Sequence, residues 1–277
     1  MTPASRRHFA RIGAGFVACV SLAACGGISQ QQEVEMGAQE AQQVNAQLPM
    51  LQDATINAYV NSLGNQLART TSRADLDWHF AVVNTDVINA FALPGGYVYV
   101  NRGVLSHASN ESELAGVLAH EIEHVVQRHS VKQMEQVNNA NIGVALACTL
   151  TNVCNNQVTQ AAIQVGGSAY FAKNSRADEV QADEGGFNTV MRAGINPRGM
   201  LTFFDKLLAE EQQSGGSNTI SWFADHPGTQ DRIADIQRML SANAGRLNGL
   251  RTDSQAFQSM KRRLAQLPPA PRTSSGN

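Results

Sequence analysis

Four cysteines in 277 residues, at positions 19, 25, 148 and 154, form no C-x-x-C pair. The spacing therefore supports neither a thiolate zinc site nor a dithiol redox centre. It also lacks a long uninterrupted apolar run. A membrane-spanning helix needs about 20 such residues, and the apolar stretches here are broken sooner by glycine or polar residues. No block of basic residues occurs, and 21 Lys and Arg stand against 23 Asp and Glu. A nucleic-acid partner is not expected, because a phosphate backbone calls for a concentrated positive face. No internal repeat stands out, so a built-in repeat module for partner binding is not expected either.

What is present begins with an export signal. Ser5-Arg6-Arg7-His8-Phe9 supplies a charged start, residues 12–24 are mostly small and apolar, and the run ends in Leu22-Ala23-Ala24-Cys25. This reads as a signal peptide over residues 1–24. Leu-Ala-Ala-Cys resembles a bacterial lipobox, in which Cys25 is acylated and becomes the first mature residue. The acyl chains then hold the body to a membrane surface. The Ser-Arg-Arg-x-Phe start also resembles a twin-arginine signal. By resemblance to bacterial lipoproteins, Gly26 in place of an aspartate retention signal favours the outer membrane. Without residues 1–24, 253 residues remain, with 18 basic against 23 acidic side chains and a formal net charge of −5. That length suffices for one large domain with its own core.

The composition shifts along the chain divide it further. Residues 25–47, rich in Gln, Glu and Ala, are expected as an acylated N-terminus and tether with partial helix. Residues 48–266 are expected as the folded domain and residues 267–277 as a disordered tail. Leu51, Ile56, Tyr59, Val60, Leu63 and Leu67 share one face of a predicted helix. LDWHFAVVN and VINAFALPGGYVYVN read as strands, the latter as two short runs about Pro94-Gly95-Gly96, so a small sheet or hairpin is expected next. Asn110 or Ser112 is placed to cap the helix that follows. Between Glu135 and Lys173 no charged side chain appears. Short buried or interfacial helices fit this interval, which contains Cys148 and Cys154, a candidate disulfide in an oxidising compartment.

The chemistry concentrates in residues 116–132, GVLAHEIEHVVQRHSVK. His120 and His124 lie one helical turn apart, so both imidazoles can approach one ion, with Glu121 between them in an H-E-x-x-H pattern. Catalytic zinc takes three protein ligands and keeps one open position, so a third ligand is required. His129 does not fit as that ligand: it lies five residues beyond His124, and H-E-x-x-H-x-x-G-x-x-H is absent. It is expected on the surface or outside the ligand set. Glu179 in SRADEVQAD is the better candidate, because a second helix can cross the first and deliver it.

Taken together and in order, AHEIEHVVQRH, SRADEVQADEGG and ADHPGTQDRIADI resemble the M48 family of zinc metallopeptidases, the Ste24-like group. The resemblance covers roughly residues 48–240. It implies an α+β, mostly helical, zincin-like (gluzincin) fold and one Zn2+ per chain held by His120, His124 and Glu179. Glu121 is then the general base that takes a proton from the attacking water and later delivers it to the departing amine. Asp183, one turn beyond Glu179, is placed to fix a ligand histidine. For His226 two roles stay open: stabilising the oxyanion, or filling the fourth zinc position in a resting form. Arg232 matches the family's downstream arginine and is a second candidate for the oxyanion.

Asn89-Ala90-Phe91-Ala92 resembles the family's substrate-side strand, which grips an extended peptide through backbone groups. The implied substrates are unfolded or unassembled envelope proteins. The absence of spanning helices departs from the membrane-embedded members and matches the periplasmic lipoprotein members, whose role is quality control of outer-membrane proteins. Two other classes compete: a zinc-containing but inactive chaperone-like lipoprotein, and a metal-free structural one. Glu121 argues against the first, the three ordered motifs against the second. The sequence specifies no oligomeric state.

Overall fold

The computed structural model describes residues 27–137, 174–214, 222, 226, 227 and 229–271. Cys25, the signal peptide, Cys148 and Cys154 lie outside the described residues.

The fold is mostly helical, with one small mixed sheet ahead of the motif helix. Helix α1 (Gln30–Gln47) starts at a capping box in which the Ser29 hydroxyl accepts from the Gln32 N–H and the Gln32 side chain accepts from the Ser29 N–H. Helix α2 (Ala54–Ala68) is capped by Asp53, whose carboxylate accepts from the Ile56 N–H. Its Ile56, Val60, Leu63 and Leu67, spaced three and four apart, are all buried.

Strands β1 (His79–Val83), β2 (Ala90–Leu93) and β3 (Tyr97–Asn101) form a sheet in the order β1-β3-β2. β2 and β3 make the expected antiparallel hairpin, in the register Phe91 to Tyr99. β1 adds to the other side of β3 in parallel, with Ala81 opposite Tyr99. The hairpin turn is Pro94–Gly96, and Gly95 holds φ +76°, a left-handed conformation that suits glycine. Among the described residues β2 is thus an edge strand, and it packs against the motif helix.

A short helix α3 (Arg102–His107) leads to α4 (Glu111–Val126), the motif helix. Asn110, not Ser112, is its cap, accepting from the Glu113 N–H at 3.2 Å. Every residue of α4 from Glu111 to Val125 is buried, which makes it the central element of the fold. Helices α5 (Arg176–Arg192) and α6 (Arg198–Ser214) pack on α4, α7 (Thr229–Ala242) packs on α5 and α6, and α8 (Gln255–Ala265) closes over α2. The approach of α5 depends on Gly186: a Cβ there would meet the backbone N of His120 at 3.2 Å. The core runs through Ile56, Leu67, Leu118, Ile122, Phe187 and Phe203. Among the described residues no helix is long and apolar enough to cross a membrane.

Two segments expected outside the folded body take part in it. In the tether, Glu33 of α1 is fully buried, and its carboxylate accepts from Arg73 at 2.7 and 3.1 Å, from Arg128 at 2.8 Å and from the Gly95 N–H at 3.3 Å. Gly37 allows α1 to press on the hairpin turn, where a Cβ would sit 1.9 Å from the Pro94 carbonyl oxygen. In the tail, Pro268 and Ala270 touch the body. Ala270 is buried, and the Pro268 carbonyl accepts from the buried Arg102 guanidinium at 2.6 Å. A buried guanidinium needs acceptors, and this chain end supplies one.

Candidate metal centre

Helices α4 and α5 cross so that His120, His124 and Glu179 face one another, and His226, ahead of α7, completes the group. One ligand-type atom from each of the four lies within 4.8 Å of the others, and all four residues are buried. The His120 and His124 Nε2 atoms are 3.0 Å apart. Glu179 Oε2 is 3.3 Å from His120 Nε2, and Glu179 Oε1 is 3.4 Å from His124 Nε2. His226 Nδ1 lies 3.2 Å from His120 Nε2 and 3.1 Å from Glu179 Oε2.

These separations test the fit of a metal. Ligand atoms 2.0–2.1 Å from a tetrahedral ion stand about 3.3 Å from each other. The observed spacings of 3.0–3.4 Å match those edges, and two imidazoles with a carboxylate are zinc's own donor set. The group has the capacity to bind a divalent ion.

Charges around the group are arranged to hold it. Asp183 Oδ1 lies 2.9 Å from His120 Nδ1, the ring nitrogen facing away from the cluster. The same carboxylate takes Arg232 Nε at 2.6 Å and Nη2 at 2.8 Å, while Arg232 Nη1 reaches Glu179 Oε2 at 2.8 Å and the His226 carbonyl at 3.3 Å. The guanidinium expected at the oxyanion is thus turned onto the two carboxylates that flank His120. It braces the cluster from behind, because a buried carboxylate pair binds a bidentate cation in preference to an exposed position.

The protonation equilibria follow from this packing. Burial opposes a charge on His120, but Asp183 and Glu179 outweigh it and raise the imidazole to about 9. Burial and the neighbouring His120 charge push His124 well below its ordinary value. Burial also lowers His129. Glu179 and Asp183 are both held below the ordinary carboxylate range: burial works against their charge, and is outweighed by His120 and His226 for the first and by Arg232 for the second.

Glu121 projects into the same space. Its carboxyl is buried, its Oε1 has no hydrogen-bond partner, and that atom is 3.5 Å from His226 Nε2. Burial raises the group above the ordinary carboxylate range. An orphaned buried oxygen is costly unless it serves a ligand or a reaction. The His226 ring lies between Glu121 and the cluster, with Nε2 toward Glu121 and Nδ1 toward Glu179, and the Trp222 ring stacks on it at 4.3 Å.

The sequence matches peptidase family M48 over residues 54–240. The chain belongs to that family. The beta-barrel assembly-enhancing protease of Escherichia coli K12 is 33% identical over 213 residues, covering 74% of this chain and 43% of that protein. The mitochondrial metalloendopeptidase OMA1 of Schizosaccharomyces pombe is 30% identical over 193 residues, 70% of this chain and 55% of its own length. Metalloprotease YcaL of Escherichia coli K12 is 28% identical over 165 residues, 59% of this chain and 63% of that protein. The match spans less than half the length of the beta-barrel assembly-enhancing protease. Relatives of these kinds, rather than Ste24-like enzymes, support the family assignment. Family membership and the donor cluster together support a zinc metalloendopeptidase identity.

The structure also places residues that the motif left aside. Asn89, Ala90, Phe91 and Ala92 fall on or beside edge strand β2, and Ala92, Leu93, Pro94, His124 and Arg128 line one small cavity of about 10 Å³ at the end of β2. His129, expected on the surface or outside the ligand set, is buried beside His124 and is not one of the four grouped donors. Its spacing hides it, because it lies past the end of α4 and beyond a left-handed turn at Arg128.

Proposed function

We propose that this chain is an endopeptidase of the bacterial envelope in which His120, His124 and Glu179 hold one zinc ion and Glu121 is the general base. The observation that carries the reading is the convergence of these donors at 3.0–3.4 Å beside a buried Glu121 oxygen that makes no hydrogen bond. A zinc ion held there supplies Lewis acidity, acidifying water and polarising a peptide carbonyl. The chain's own residues do the rest. Glu121, made more basic by burial, accepts the water's proton and passes it to the leaving amine. Asp183 and Arg232 fix His120 and Glu179, so that the donors do not reorganise during the reaction.

A peptide laid along the outer edge of β2, beside Asn89, Ala90, Phe91 and Ala92, would pair with the alternate backbone groups that β3 does not take, since the Asn89 carbonyl already accepts from the Asn101 N–H. Backbone pairing selects extended chains with little regard to side chain, which suits unfolded or unassembled envelope proteins as substrates. Acylation at Cys25 would hold the enzyme at the periplasmic face of the outer membrane. The alternative, a latent zinc-containing chaperone-like lipoprotein, gives Glu121 no task.

His226 adds a resting form to this reading. Its ring lies against both Glu121 and the donors, and its Nδ1, 3.2 Å from His120 Nε2 and 3.1 Å from Glu179 Oε2, would be available to the ion as a further donor. Substrate cleavage then requires the ring to swing out, after which it is free to meet the oxyanion. The test is casein cleavage by the zinc-loaded protein, after chelation and after zinc is restored, alongside His226→Ala. Zinc-dependent cleavage that rises in His226→Ala supports the reading; cleavage unaffected by chelation contradicts it.

A further inference from the structure

We propose that His129 is a positioning residue that fixes the tautomer of His124, accepting the hydrogen on His124 Nδ1 so that His124 Nε2 presents its lone pair to the metal. The inference rests on the zinc reading above and deepens it.

The argument follows one chain of hydrogen bonds. His129 Nε2 faces the Gln181 side-chain oxygen at 3.2 Å and Asp178 Oδ1 at 3.6 Å. Both are acceptors, so the ring hydrogen of a neutral His129 sits on Nε2. His129 Nδ1 is then a bare acceptor, and it lies 2.9 Å from His124 Nδ1. The hydrogen between these two nitrogens belongs to His124, and His124 Nε2 is left unprotonated where it faces His120 Nε2 and Glu179. His120 obtains the same result from Asp183, a carboxylate. The two zinc histidines are thus oriented by different partners, one charged and one neutral.

The backbone is shaped to deliver His129. After α4 ends, Arg128 takes φ +57°, a left-handed conformation that is uncommon outside glycine, and residues 129–137 restart as helix. Arg128 is held in that turn by Glu33 at 2.8 Å and by the Ile28 carbonyl. The turn brings the ring of His129 back over His124, with centroids 4.9 Å apart. A helix continued straight through this point would carry residue 129 away from the ligand face, so the spacing that rules His129 out as a ligand leaves it well placed behind one.

The test uses the full-length chain and 15N NMR of the histidine rings, with zinc affinity measured by chelator competition. We expect a scalar coupling across the hydrogen bond between the two Nδ1 nuclei, with the hydrogen on His124, both with and without zinc. His129→Phe should weaken zinc binding by about 10–100-fold, the usual loss when the partner of a ligand histidine is removed. His129→Asn places an oxygen acceptor where Nδ1 stands and should recover most of that loss. A His124 hydrogen on Nε2 in the zinc-free wild type would overturn the proposal, as would His129→Asn losing as much affinity as His129→Phe, which marks a packing role. If the wild type binds no zinc, the zinc reading fails, while the tautomer in the metal-free protein still decides the hydrogen-bond assignment.

Discussion

Replacing Asp183 with alanine removes a single carboxylate from three contacts at once. Its oxygens take Arg232 Nε at 2.6 Å, Arg232 Nη2 at 2.8 Å and His120 Nδ1 at 2.9 Å, and both Asp183 and Arg232 are 2% exposed. Losing one partner of a buried ion pair costs about 3–5 kcal/mol, because the other charge stays desolvated. Arg232 keeps Glu179 at 2.8 Å, so the lower end, about 3 kcal/mol, is expected. His120 also loses the acceptor that holds its ring, and zinc affinity should fall by about 10–100-fold. Urea unfolding in the presence of a chelator isolates the first effect, and chelator competition on the folded protein isolates the second. A stability loss under about 1 kcal/mol together with unchanged zinc affinity would refute the view that Asp183 both balances Arg232 and orients His120.

The tether helix offers an independent test. Glu33→Gln leaves Arg73 and Arg128 without their shared charge and should lower stability by several kcal/mol in the same unfolding assay, on the order expected for a broken buried pair. Gly37→Val forces a Cβ onto the Pro94 carbonyl and should release α1, seen as faster hydrogen exchange over residues 30–47 with α4 still protected. Metal-free protein should also lose stability toward alkaline pH. Burial opposes the His120 charge, but Asp183 and Glu179 outweigh it and raise the group to about 9. Because the folded value exceeds the unfolded value of about 6.5, the contribution is complete below that pH and disappears as pH rises through about 9, a loss of roughly 3 kcal/mol. Unfolding midpoints that stay flat between pH 6 and pH 10 under chelation would contradict it.

The parts of this protein that the sequence makes legible are those written in helical spacing. His120 and His124 one turn apart, Asp183 one turn beyond Glu179, and the apolar stripe Ile56, Val60, Leu63 and Leu67 each state a face, and those faces meet in the fold. Alternation in LDWHFAVVN reveals a strand but not its partner, so the parallel pairing of β1 with β3 across the hairpin is not readable from it. Helix α1 carries few apolar residues. It is attached by buried charge at Glu33 and by the absence of a side chain at Gly37, neither of which leaves a periodic signal. Arg232 illustrates the same limit: a lone arginine after a His-Pro pair does not say which groups it meets, and in the fold its guanidinium lies on Asp183 and Glu179. His129 depends on a left-handed residue at Arg128, a turn that composition does not announce.

The central claim is that the buried donors hold a zinc ion on which Glu121 acts as base. The most direct measurement is zinc content and casein cleavage, side by side, for the purified wild type and Glu121→Gln. Glu121 is not among the donors and its substitution keeps the shape of the side chain, so about one zinc per chain is expected in both proteins, with cleavage in the wild type alone. A wild type that carries no zinc, or a Glu121→Gln protein that cleaves as well as its parent, would contradict the account.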